Sequence, residues 1–194
     1  MRVFSVTAAA LLLAGCGFLS RPKNQFYSLD TIPAATAPGA ALSGATTGAT
    51  TGLPIALDGI ELPPGLDRRG IVVRGADHKV EVRGTNQWTA PLEEMVLHTL
   101  AFDLANRLPE GMVILPGQNK PAGAVRSVSV VFEELAPGPE PTFVLDARWS
   151  VNGEATHHER ITVPMTSMDS PSIATAMSQA LGLLADRMAS FGVR

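Results

Sequence analysis

Apolar and polar residues alternate most cleanly in the second half of the chain. Phe143, Leu145, Ala147, Trp149 and Val151 interleave with Val144, Asp146, Arg148 and Ser150, the two-residue period of a strand with one buried face. Val128, Val130 and Phe132 do the same against Ser127, Ser129 and Val131, within a strand expected over 125–135. Asn152-Gly153 is the strongest hairpin signal in the chain, so 155–163 should return antiparallel. Upstream, shorter strands are predicted over 55–62, 71–74 and 79–83, the last two joined by turn residues Gly75-Ala76-Asp77. Segments 26–29 and 112–115 read as two further short strands.

Two stretches carry the helical period instead. Leu92, Met95, Val96, Leu100 and Leu104 recur at helical spacing between Pro91, suited to the first helical position, and Leu108-Pro109, which ends the run. Glu93 and Glu94 complement the positive end of that helix. Ile173, Met177, Leu181, Leu184 and Met188 form the stripe of a last helix, with Ser170 as its expected N-cap and Pro171 behind it. Strands, helix, strands, helix is the order of an α+β domain: one largely antiparallel sheet with two helices packed on it.

The first residues follow another pattern. Arg2 precedes a short apolar stretch that ends in small residues, far below the roughly 20 apolar residues of a spanning helix. Leu13-Ala14-Gly15-Cys16 resembles the lipobox of bacterial lipoproteins, in which the chain is cut before the cysteine. An ordinary secretory signal with a chance cysteine is the bland alternative. The position of Cys16, the one cysteine in the chain, at the end of the apolar stretch favours lipidation. This divides the chain into a signal peptide (1–15), a lipidated tether (16–25) and a domain (26–194). Diacylglycerol and an N-acyl chain on Cys16 would anchor it, since each buried methylene contributes about 0.8 kcal/mol and a single chain binds only marginally. By analogy with sorting in enteric bacteria, Gly17 after the cysteine permits transfer to the outer membrane. The run 34–52 is almost entirely Ala, Thr, Gly, Ser and Pro, with a tandem repeat at 44–51, and reads as a flexible linker.

Composition narrows the function classes. Some 180 residues after the signal suffice for one well-cored domain. A net charge of −3 gives no basic footprint for nucleic acid. With Cys16 acylated, no thiol remains for a disulfide. Charged residues are sparse at 17%, consistent with a large core or with surfaces covered by a partner, and exposed sheet edges are compatible with a homo-oligomer. No nucleophile motif, metalloprotease helix or phosphate loop is present. His157 and His158 are adjacent, so on a strand they face opposite ways and make poor joint metal ligands; His98 and His78 read as helix-borne and solvated. Glu133 and Glu134 would need a cleft to act as an acid–base pair. The expectation is a protein with no catalytic centre, no metal and no cofactor beyond the lipid.

A linear pattern runs through the remainder: Tyr27-x-Leu29, then Leu62-Pro63-Pro64-Gly65-Leu66-Asp67-Arg68, Ile71-Val72-Val73-Arg74 and Trp88-Thr89-Ala90-Pro91-Leu92. It resembles the ABC-type transport auxiliary lipoprotein family, and most closely its PqiC-like (YmbA-like) members. Gly65 stands where that pattern usually has an aromatic, Gly70 near its usual proline, and Thr89-Ala90 replaces Ala-Glu. The resemblance implies a non-catalytic lipoprotein on the periplasmic face of the outer membrane. It would assist an MCE-type lipid transport system by docking the tunnel component that spans the periplasm. Tyr27, Asp67, Arg68, Arg74 and Trp88 then either shape a docking surface or hold the fold. In the structural version Trp88 is a core anchor, and Asp67 caps the bend or pairs with Arg68 or Arg74. A cell-wall-associated lipoprotein and, less well supported, a periplasmic hydrolase built on His98 or Glu133 are the rival readings.

Overall fold

The computed structural model describes residues 23–34, 52–75, 79–138 and 140–191; the signal peptide, Cys16, the body of the linker and residues 76–78 lie outside them. From the N-terminal side, β1 (Gln25–Tyr27) and β2 (Ile55–Glu61) are followed by β3 (Gly70–Arg74), β4 (Val80–Trp88) and α1 (Leu92–Ala105). β5 (Val113–Ile114), β6 (Arg126–Pro137), β7 (Thr142–Val151) and β8 (His157–Pro164) then lead into α2 (Ser170–Phe191). No helix among the described residues is long and apolar enough to cross a membrane.

The α+β class and the two packing helices stand. The strands, however, divide into two sheets: β5-β2-β6-β7-β8, and a smaller β1-β4-β3. The long ladders β6–β7, β7–β8 and β3–β4 are antiparallel, while β1–β4, β2–β5 and β2–β6 are parallel. A parallel pair needs a crossover, and here the small sheet and α1 provide it between β2 and β6. Both helices cover the inward face of the large sheet. Phe143, Leu145, Ala147 and Trp149 of β7 are buried on the face covered by α2, while α1 packs on β2 and β5 and against α2. The predicted stripes of both helices are buried. At roughly 1.5–3 kcal/mol for each large apolar side chain removed from water, this layer is the main source of stability.

The hairpin forms as expected, with a difference in register. Asn152 (φ 51°) and Gly153 (φ 72°) both adopt left-handed backbone, as a type I′ turn requires, and the Glu154 N–H donates to Val151 O at 2.9 Å. The return strand begins only at His157, so Trp149 pairs with His157 and Arg148 with His158.

The helix starts also shift. Pro91 is the residue before α1 rather than its first, and it offers no side-chain cap. Asp169, not Ser170, caps α2: its Oδ1 accepts the Ser172 N–H at 2.9 Å. Ser170 is buried instead, because its hydroxyl accepts from Arg83 Nη1 (3.0 Å) and Asn86 Nδ2 (2.9 Å), tying β4 to the start of α2.

One feature has no counterpart in the hydrophobic pattern. After β1, residues 28–33 cross the seam between α1 and α2 as a strap, burying Leu29. The Asp30 N–H donates to Ser178 Oγ (3.1 Å) and the Ile32 N–H to Asp103 Oδ1 (2.7 Å). Arg107 Nη1 donates to Ile32 O (2.9 Å), while its Nε donates to Asp186 Oδ1 of α2 (2.6 Å). Gly182 makes the passage possible, since a Cβ there would lie 2.7 Å from Ile32 Cβ.

Asp103 is fully buried, and burial pushes its carboxyl up to about 6 despite the Ile32 amide and the nearby Arg107. A raised carboxyl binds its proton more readily in the folded state. Its contribution to stability is therefore complete below about pH 4 and is lost as pH rises through about 6. The shift corresponds to at most about 3 kcal/mol. We expect urea stability to increase from pH 7 to pH 5 by an amount that Asp103→Asn abolishes. An identical pH slope in the two proteins would disprove this assignment.

Candidate functional site

The motif residues converge where the small sheet meets the start of α1. The loop between β2 and β3 turns at Pro63-Pro64-Gly65-Leu66: the Leu66 N–H donates to Pro63 O (3.2 Å), and Gly65 (φ 89°) occupies the position that demands left-handed backbone. The Arg68 N–H then donates back to Leu66 O at 2.7 Å. The Trp88 N–H donates to Arg69 O (2.8 Å) and the Thr89 N–H to Tyr27 O (3.0 Å), so three motif segments are sewn together through backbone. Between them lies an open groove of about 320 Å³ lined by Phe26, Asp67, Arg68, Arg69, Gln87 and the segment Trp88–Pro91.

The five motif positions separate by role. Trp88 is only 5% exposed, and with Leu66, Ile71, Leu92, Ile173 and Met177 it lines a void of about 10 Å³. It is the anchor that joins the small sheet to both helices. Tyr27 is half-buried at the end of β1, its hydroxyl donating to Gln25 Oε1 (2.7 Å). Asp67 and Arg68 are exposed at the groove, whereas Arg74 ends β3 and does not line it. Asp67 makes no ion pair with Arg68 or Arg74 among the described residues. The loop's backbone bonds already hold the bend, leaving the carboxylate in solvent.

Two departures from the family pattern have local reasons. Gly65 supplies the positive φ of the turn. Gly70 lies under β4, where a Cβ would meet Val82 Cγ1 at 2.8 Å and Arg83 O at 3.0 Å.

Other surface features were not apparent in the sequence. Across the β3–β4 ladder, Val72 pairs with Val82 and Arg74 with Val80, which puts these four on one face. Val80 is 57% exposed and Val82 42%, so that face presents an apolar strip beside Arg74. On the outward face of the large sheet, a bulge in β6 between Phe132 and Glu134 puts both Glu133 and Glu134 opposite β7. There Glu133 accepts from Arg148 Nε (2.6 Å), Glu134 from Arg160 Nη2 (3.2 Å), and Asp146 from both Arg160 and His158.

Burial alone would raise the Asp146 carboxyl, but hydrogen bonds from His158 and Arg160 outweigh it and hold it below the usual carboxylate range. Glu133, Asp146 and His158 bring ligand-type atoms within 4.8 Å of one another. Both carboxylates are already engaged by guanidinium groups, so the cluster reads as a surface charge network. His157 and His158 do face opposite ways, His157 stacking on Trp149 with centroids 4.2 Å apart. His98 lies on α1, and Glu133 lies on the outward face of the large sheet.

The family model for the ABC-type transport auxiliary lipoprotein component matches residues 27–189. The chain belongs to this family. It is 26% identical over 153 residues to the intermembrane transport lipoprotein PqiC of Escherichia coli (strain K12), covering 78% of this chain and 75% of that protein. The same figures hold for PqiC of Shigella flexneri. A crystal structure of an uncharacterized protein shares the fold with a TM-score of 0.65 at 14% identity, spanning 87% of this chain and 97% of that one. A Xanthomonas campestris protein does so with a TM-score of 0.60 at 12% identity, spanning 85% and 92%. The matched region of this auxiliary lipoprotein contains every motif position of the groove.

If Trp88 is the anchor of that region, Trp88→Ala should cost about 3–5 kcal/mol in urea unfolding, as large-to-small core substitutions do. Trp88→Phe should cost less. A loss below about 1 kcal/mol in the alanine variant would assign Trp88 to the surface instead.

Proposed function

We propose that this protein is a lipid-anchored, non-catalytic subunit of an MCE-type intermembrane lipid transport system, held on the periplasmic face of the outer membrane. There it docks the tunnel component that spans the periplasm. The observation that carries this reading is the family match across 27–189, together with the similarity to PqiC, an intermembrane transport lipoprotein. Cys16, acylated by diacylglycerol and an N-acyl chain, is the anchor, and Gly17 after it permits transfer to the outer membrane. Tyr27 and Trp88 hold the fold. Arg74, with the exposed strip of Val80 and Val82 beside it, is the surface offered to the tunnel component. An exposed apolar patch beside a cationic side chain suits protein contact.

The test is crosslinking and affinity purification of the tagged lipoprotein from separated inner and outer membranes, read by mass spectrometry. An MCE-domain protein should be recovered with the outer-membrane pool and be depleted at least tenfold by Val80→Glu/Val82→Glu. Recovery of peptidoglycan with no MCE or ABC component would favour the cell-wall reading. In the same strains, Cys16→Ser should release the domain from the membrane fraction and abolish fatty-acid labelling. Membrane recovery of the unlabelled variant would require another anchor.

A further inference from the structure

The groove lies close, along the chain, to the proposed point of membrane attachment. From Cys16 to Phe26 is ten residues, at most roughly 35 Å when fully extended. The tether between them contains Arg21 and Lys23 and no carboxylate, so it is itself drawn toward anionic headgroups. Phe26 of β1 is 61% exposed and lines the groove, and Arg68 and Arg69 on its wall are exposed. Neither guanidinium makes an ion pair or side-chain hydrogen bond among the described residues. Asp67 shares the groove, leaving two guanidinium groups against one carboxylate.

An aromatic beside unengaged arginines, on a short basic tether, is the chemistry of an interfacial contact: the ring enters the headgroup layer while the guanidinium forks take phosphate oxygens. We propose that this groove is a landing surface for the bilayer that carries the anchor, with Arg68 and Arg69 binding phospholipid phosphate and Phe26 seated among the headgroups. The inference rests on the lipid-anchor part of the proposed function and not on the tunnel component. It leaves the face of Val80 and Val82 to be met from elsewhere.

The full lipidated chain, its acylation verified by mass, is reconstituted into phosphatidylethanolamine–phosphatidylglycerol vesicles containing headgroup-level nitroxide lipid. With Cys16 acylated, an introduced cysteine is the sole free thiol. A fluorophore at Phe26→Cys is compared with one at the exposed Glu110→Cys. Glu110 lies past the far end of α1, a helix about 20 Å long whose start borders the groove. The Phe26 label should be quenched at least threefold more strongly than the Glu110 label. Arg68→Glu/Arg69→Glu should abolish the difference, and high salt should weaken it. Equal quenching at the two sites, or quenching indifferent to charge reversal, would overturn the landing surface while leaving the anchor intact. Relief of quenching by millimolar inorganic phosphate would make free phosphate the ligand and overturn the headgroup assignment. Absence of acylation would remove both the anchor and the inference.

Discussion

Arg107 is the group on which the arrangement of the two helices depends. Its side chain is almost wholly buried, and from the turn after α1 it donates at once to the strap at Ile32, to the end of α1 at Asp103 and to α2 at Asp186. Taking a guanidinium out of water is costly unless hydrogen bonds and counter-charges replace its hydration. Here two carboxylates and two carbonyls from three segments surround its Nε and Nη1, while Nη2 is buried without a hydrogen-bond partner. The small residues of α2 that face the strap, Ser178 and Gly182, let the chain pass closely enough for those bonds to form. Once strap, α1 and α2 are fixed, the inward face of the large sheet has one complementary surface to pack against.

The small sheet then follows from this layer. Trp88 fills the corner between it and the two helices, and the Ser170 hydroxyl, buried by Arg83 and Asn86, secures β4 to the start of α2. The groove with Phe26, Arg68 and Arg69 is a by-product of that corner. Its floor is the apolar anchor and its rim is the loop that the anchor supports. Structure and surface chemistry thus share residues that are neighbours in sequence, which is why a motif such as Leu66-Asp67-Arg68 mixes buried and exposed positions.

Where burial was one-sided, the sequence was readable. The apolar stripes of α1 and α2, and the alternation in β6, report directly which face is turned inward. What escaped reading depended on backbone irregularity or long-range pairing. The strap from Ser28 to Pro33 has no period, because its order comes from Asp103, Arg107 and Ser178, which lie far away in the chain. A minimal two-residue hairpin at Asn152-Gly153 would have set His157, not His158, against Arg148, so the charge network around Asp146 could not be assembled from the turn alone. The bulge that gathers Glu133 and Glu134 on one face, and the parallel insertion of β2 beside β6, likewise have no local signature. The groove was half visible: its motif positions stand out, but Phe26 and Arg69 join them only through the pairing of β1 with β4 and the backbone bond to Trp88.

The strap also defines how the domain would carry load. Tension applied at the N-terminal side of the domain meets β1 first, whose ladder with β4 spans only three residue pairs. Behind it stands the clamp at Asp103 and Arg107, set in the middle of the helical layer. A pull strong enough to strip β1 would therefore lengthen the leash by a few residues before it reached the core. The domain has, in effect, a short spring in series with a stiff mount, so a pull from its N-terminal side can be absorbed at β1 without unfolding the helical layer.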